Sequence, residues 1–182
     1  MIRWLLWILG GILLGGIVHL STVLLLPSTA TRDAYDRLLA SAPVNAIAQL
    51  PAPTPEKALL PFMDPAFSAA VCRYDLSGAP LKLTIPVTQA YTSVSFYTRY
   101  GVAYYAINDR AAGRRVIELD LMTTEQHNQM PEEEDVTAAD RLIVDSPTPT
   151  GLIVIRALAP EPGLVPAARA VLIKAQCRVQ PQ

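Results

Sequence analysis

The sequence predicts an α+β protein in which one N-terminal transmembrane helix precedes a mostly antiparallel β-sheet or sandwich with a few short helices. Three observations predict it. An uncharged apolar run extends from Trp4 to Leu26. Period-two alternation marks the stretch from Tyr91 to Thr98. Short strand-like runs then follow one another, separated by turn residues and with no long helix among them.

The apolar run holds only His19, Ser21 and Thr22 as appreciably polar residues. As an α-helix it would span roughly 34 Å, against a hydrocarbon core of about 30 Å. Trp4 and Trp7 stand at one end, where indole rings favour the headgroup boundary. Pro27 and the polar run Ser28-Thr29-Ala30-Thr31 mark the other. Arg3 precedes the span and no basic residue follows until Arg32, which directs the N-terminus to the cytoplasm and the bulk outside. Ser28 and Ala30 have the small-x-small spacing of a signal-peptide cleavage site, but the apolar stretch exceeds the usual 7–15 residues or so of a signal peptide. An uncleaved anchor over residues 1–27 is the expectation, and either reading exports the rest.

Residues 28–61 read as a membrane-proximal helix and a Pro-rich spacer. Thr31 to Leu39 has a capping residue, Asp33 in its first turn, and Tyr35, Leu38, Leu39 and Ala42 on one face. Val44 to Leu50 reads as a further short helical turn. Pro51-Ala52-Pro53-Thr54-Pro55 reads as a stiff spacer. The extracytoplasmic β-rich domain, 62–182, is expected to begin near Phe62.

Within that domain, strands are predicted over 71–76, 81–87, 91–100, 102–107, 116–122, 142–144 and 152–158. Ser77-Gly78-Ala79-Pro80 and Asn108-Asp109-Arg110 supply turns. Thr124 to Met130 reads as one polar helical turn. The stretch 164–177 suits a helix through Pro166, its alanines and apolar residues at helical spacing, although Val171 and Ile173 favour a strand.

Composition excludes some functions. All 16 acidic residues and 14 of the 15 basic ones lie beyond residue 27, so the exported part is slightly acidic, with dispersed arginines and no basic face for nucleic acid. Glu132-Glu133-Glu134-Asp135 lacks calcium-loop spacing and reads as a solvated loop. Cys72 and Cys177 are too few for a metal signature, but in an oxidising compartment they can pair; two buried thiols are the alternative. No Gly-x-Ser-x-Gly elbow or Gly-rich phosphate loop occurs, and His127, in a polar stretch, is the one histidine outside the span. No catalytic set, metal site or cofactor is therefore expected.

Two candidate sites remain. Gly11, Gly15, His19 and Thr22 share nearly one face of the apolar helix, where small residues admit a second helix and a histidine seeks a partner. One histidine alone does not make a haem site. Asp75, Tyr97, Asn108, Asp109 and Arg110 could form a ligand cleft at strand ends, with Tyr91, Tyr100, Tyr104 and Tyr105 as its lining or as core edges. Turn formation by Asn108 and Asp109, with Arg110 satisfying Asp75 or Asp109, is the stronger reading of these residues.

Four blocks in order, Asp64-Pro65-Ala66-Phe67, Cys72-Arg73-Tyr74-Asp75-Leu76-Ser77, Ser93-Val94-Ser95-Phe96-Tyr97 and Asn108-Asp109-Arg110, resemble domain of unknown function 1254. The chain is similar to that family's short branch, integral membrane proteins mostly of Gram-negative bacteria. The resemblance implies a β-rich domain outside the cytoplasm. It also implies a partner, because longer relatives fuse this domain to a second one and short members tend to be encoded beside a separate copy of it. It supplies no reaction. The sequence thus predicts a single-pass inner-membrane protein with a periplasmic domain. Its predicted role is that of an accessory protein associating with the bilayer and with another membrane or periplasmic protein, or with itself as a dimer. The alternative is a tethered small-molecule-binding or enzymatic domain.

Overall fold

The computed structural model describes residues 1–29, 33–54, 57–61, 63–113, 115–130 and 142–180. The expected cap at Thr31, the expected domain start at Phe62 and the acidic run Glu132–Asp135 lie outside them. The chain divides into two compact units, Met1–Arg32 and Asp33–Gln182.

The first unit is helix α1, Ile2–Thr29. Its stretch Ile2–Leu26 is, among the described residues, the one helix long and apolar enough to cross a membrane. Its large apolar side chains are exposed along that length. A membrane span and a signal sequence both have this form.

The second unit is built on two sheets. A five-stranded antiparallel sheet runs in the order β1-β2-β8-β4-β5, and a four-stranded sheet in the order β7-β6-β3-β9. The first comprises β1 (Ile47–Gln49), β2 (Phe67–Asp75), β4 (Thr92–Thr98), β5 (Ala103–Asn108) and β8 (Thr150–Leu158). The second comprises β3 (Leu81–Pro86), β6 (Val116–Thr123), β7 (Leu142–Ser146) and β9 (Gln176–Val179). Among the named strands of the described residues, β6 and β7 alone pair in parallel. Short helices α2 (Ala34–Leu38), α3 (Asp109–Ala112), α4 (Thr124–Asn128) and α5 (Val165–Leu172) punctuate the strands.

Alternation decides which face each strand buries. In β4, Thr92, Val94, Phe96 and Thr98 are buried while the intervening residues are half-buried. In β3, Leu81, Leu83 and Ile85 are buried and Lys82 is exposed. The inward sets of both sheets meet in one core, with Tyr74, Phe96, Leu83, Leu119, Ile153 and Ile155 fully buried. Ala168 and Leu172 of α5 complete it. Cys72 on β2 and Cys177 on β9 form a disulfide, so the bond joins one sheet to the other.

The membrane-proximal segment differs from its expectation. Residues 34–54 and 57–60 do not stand apart from the domain, for Leu38, Ala42, Leu50, Leu59 and Leu60 pack with Val71 and Leu152 on the outer face of the larger sheet. Instead of a helical turn, 44–50 supplies β1, antiparallel to β2. The cause is tertiary: Asn45, at φ 56°, turns the chain so that its amide donates to Asp75 O and accepts from Asp75 N. The side-chain cap of α2 is Asp33, which accepts from the Asp36 amide. Beyond α5, the stretch predicted to stay helical to residue 177 turns into β9, paired with β3.

Candidate functional site

On α1, Gly11, Gly15, His19 and Thr22 fall within one arc of the helix, as their spacing dictates. Apart from the chain neighbours and the helix's own backbone, nothing lies within 4 Å of where a Cβ would stand at Gly11 or Gly15. The Thr22 hydroxyl donates to the Val18 carbonyl at 2.8 Å, so its proton is already used within the helix.

The cleft expected from Asp75, Tyr97, Asn108, Asp109 and Arg110 is not assembled. Asp75 pairs with Thr150 on β8, whereas Asn108 pairs with Ser93, which in turn faces Arg156 on β8. Six residues of central strand separate those rows, about 20 Å at roughly 3.3 Å per residue. The two groups therefore lie at opposite ends of the larger sheet. Each is occupied locally. Asp75 Oδ1 accepts from the Ser77 amide at 2.9 Å. The Ser77 side chain and amide hold the Asp75 carboxyl below its ordinary value. Its stabilising effect is thus present above about pH 4 and lost as pH falls through the lowered value. Asn108 caps α3 by accepting from the Ala111 amide at 2.8 Å, and Asp109 accepts from the Thr92 amide at 3.3 Å. Arg110 lies exposed in α3. Tyr97 packs against the outer cluster around Leu152.

The tyrosines divide by position. Tyr100 is half exposed in the β4–β5 turn. A register shift opposite Phe96/Tyr97 lets both Tyr104 and Tyr105 reach the Phe96 ring, with centroids 6.1 and 5.7 Å away. Tyr104 donates to Tyr74 Oη at 3.1 Å, and Tyr74 Oη also lies 2.9 Å from Ser146 Oγ and 3.2 Å from the Tyr97 carbonyl. Burial, and next the neighbouring Tyr74, push the Tyr104 phenol far above its ordinary value. The Tyr104–Tyr74–Ser146 hydroxyls form a strut between the sheets, from β2 and β5 to β7. Tyr74→Phe is expected to cost about 1–3 kcal/mol in urea unfolding, because partners of a buried hydroxyl lose their bond.

A second assembly escaped sequence reasoning. On the outer face, the Tyr35 ring lies between two guanidiniums, Arg73 at 4.8 Å and Arg99 at 4.3 Å. Arg99 also bonds Asp33 and Asp36. Arg73, 7% exposed, donates to the Leu39 and Ala42 carbonyls. This clamp seats α2 on the sheet. Its signal in the sequence was an arginine inside an otherwise apolar strand, Val71-Cys72-Arg73-Tyr74. Tyr35→Ala removes both stacked contacts, and a loss of about 2 kcal/mol in unfolding free energy is expected at about 0.5–1 kcal/mol per contact plus the lost ring burial.

His127 Nδ1 lies 2.9 Å from Asp145 Oδ1 in a partly exposed pair. Among the described residues, no three His, Cys, Asp or Glu side chains converge as a metal site would require. A cleft of about 410 Å³ on the outer face is lined by Met63, Asp64, Phe67, Tyr91, Val154 and Arg156. It gathers Asp64 and Phe67 from the first of the blocks that carried the resemblance, but Asp64 Oδ1 is bound to the Ala66 amide.

Comparison with curated proteins finds no match. Among solved structures, the VPA0106 protein from Vibrio parahaemolyticus aligns with a TM-score of 0.58 at 12% identity, over 80% of this chain and 34% of that one. An uncharacterised protein from Burkholderia cenocepacia aligns with a TM-score of 0.46 at 14% identity, over 65% of this chain and 33% of that one. The first likeness establishes a shared fold, and this chain spans about a third of either protein. The model of one family, described as protein of unknown function (DUF1254), matches residues 44–181, and the chain belongs to that family.

Proposed function

We propose that this protein is a membrane-anchored accessory protein whose domain outside the cytoplasm acts by associating with another membrane or periplasmic protein. The observation that carries this reading is helix α1: Ile2–Leu26 is long and apolar enough to cross a membrane, and Gly11 and Gly15 leave space for a second helix on the face that also holds His19. The rival reading needed Asp75 and Arg110 in one pocket, and they stand at opposite ends of the sheet.

The test is affinity purification of the full-length protein from mildly crosslinked membranes. A stoichiometric companion, or a second copy of the chain, is the expected result, with recovery reduced several-fold by Gly11→Leu combined with Gly15→Leu. A monomer with no companion in mild detergent, unchanged by those substitutions, would overturn the proposal.

A further inference from the structure

At one end of the second unit, a groove of about 660 Å³ opens between α5 and the loop that follows β3. Its apolar walls are Val87, Leu158, Leu164 and Val171, the small residues Ala167 and Ala168 of α5 leave the space between them, and Thr88 and Gln89 of the loop add polar lining. The loop is held in shape by its own hydrogen bonds. Thr88 N donates to Thr92 Oγ1 at 2.8 Å, and Thr88 Oγ1 donates to the Tyr91 carbonyl at 3.2 Å. Arg115 stands on the rim, fixed beside the loop because its carbonyl accepts from Val87 N at 3.0 Å.

The charge is one-sided. Among the described residues, Arg115 is the one ionised residue lining the groove, no Asp or Glu lines it, and no carboxylate forms an ion pair with Arg115. The volume is within the range of about 300–1,000 Å³ common to small-molecule sites. A largely apolar trough with an arginine in its lining complements a ligand with one alkyl chain and one anionic oxygen pair, which a planar guanidinium can engage in bidentate fashion. We propose that this groove binds a free single-chain amphiphilic carboxylate, its chain along α5 and its carboxylate on Arg115. The site is separate from the helix face proposed for protein association and does not depend on it.

The experiment uses the full chain in phosphatidylcholine nanodiscs with decanoic acid bearing a photoreactive diazirine, the labelled positions being mapped by mass spectrometry. Labelling is expected in 87–90 and 164–171 above any label that α1 acquires from dissolved probe. Unlabelled alkanoates should compete with a strength that rises about fourfold per methylene. Arg115→Gln should weaken competition by decanoate about two- to fivefold, the upper range for an exposed charge pair, and leave competition by decanol unchanged. Ala167→Phe, at an exposed position, should suppress both. The proposal is overturned if label is absent from the groove, if decanol competes as well as decanoate, or if Arg115→Gln has no effect while the unfolding midpoint is unchanged. Competition by phosphatidylglycerol nanodiscs but not by decanoate would assign the site to a lipid headgroup and overturn it equally.

Discussion

Replacing Cys72 and Cys177 together with alanine is expected to lower the unfolding free energy of the β domain by about 4–5 kcal/mol. The cysteines are 105 residues apart in sequence, and closing a loop of that length removes this much chain entropy from the unfolded state. The bond also joins β2 of one sheet to β9 of the other, so it constrains the joining of the two layers rather than a local turn. Domains of this size have total stabilities of about 5–15 kcal/mol, so the loss is a large share. At about 2–4 °C per kcal/mol, the melting midpoint should fall by roughly 8–20 °C. Calorimetry of the double variant against the oxidised parent checks it, and a fall of only a degree or two would show that the bond adds little.

Gly151→Ala is expected to be nearly as damaging, at the top of the roughly 1–3 kcal/mol range for overpacked interiors or beyond it. Gly151 is on β8, the central strand of the larger sheet, opposite Tyr74 on one side and Thr98 on the other. A Cβ there would run into the Tyr97 carbonyl and into the Tyr74 phenol, both held in the buried hydroxyl network. Neither can retreat, because the carbonyl is backbone and the phenol is bonded to Ser146 and Tyr104. Adding Tyr74→Phe should not rescue the variant, since the carbonyl and ring carbon remain in place. Denaturant unfolding of the single and double variants decides the point.

Much of this fold was legible because its strands alternate cleanly. Leu81-Lys82-Leu83-Thr84-Ile85 and Thr92-Ser93-Val94-Ser95-Phe96 each declare a buried face, and the structure buries the faces they declare. β1 was not legible. Three residues carry no period, and Ile47–Gln49 is a strand only because β2 offers an edge to pair with. The end of α5 was misjudged for a related reason: Gln176 and Cys177 pair with β3, a long-range contact that local helix spacing does not register.

The ligand cleft was misplaced through topology. Asp75 and Asn108 both stand at strand ends, but which ends share a side depends on strand order. β8, from far along the chain, inserts between β2 and β4, and its register sends the two groups apart. The Tyr35 clamp was hidden likewise, since Tyr35, Arg73 and Arg99 meet only once α2 packs on the sheet.

The central claim is that the first helix holds the β domain at a membrane and outside the cytoplasm. A matched pair of C-terminal fusions tests it most directly, one carrying alkaline phosphatase and the other green fluorescent protein, expressed in a Gram-negative host. The account predicts an active phosphatase in the membrane fraction and a dark fluorescent protein. An inactive phosphatase with bright fluorescence would place the domain in the cytoplasm and contradict it.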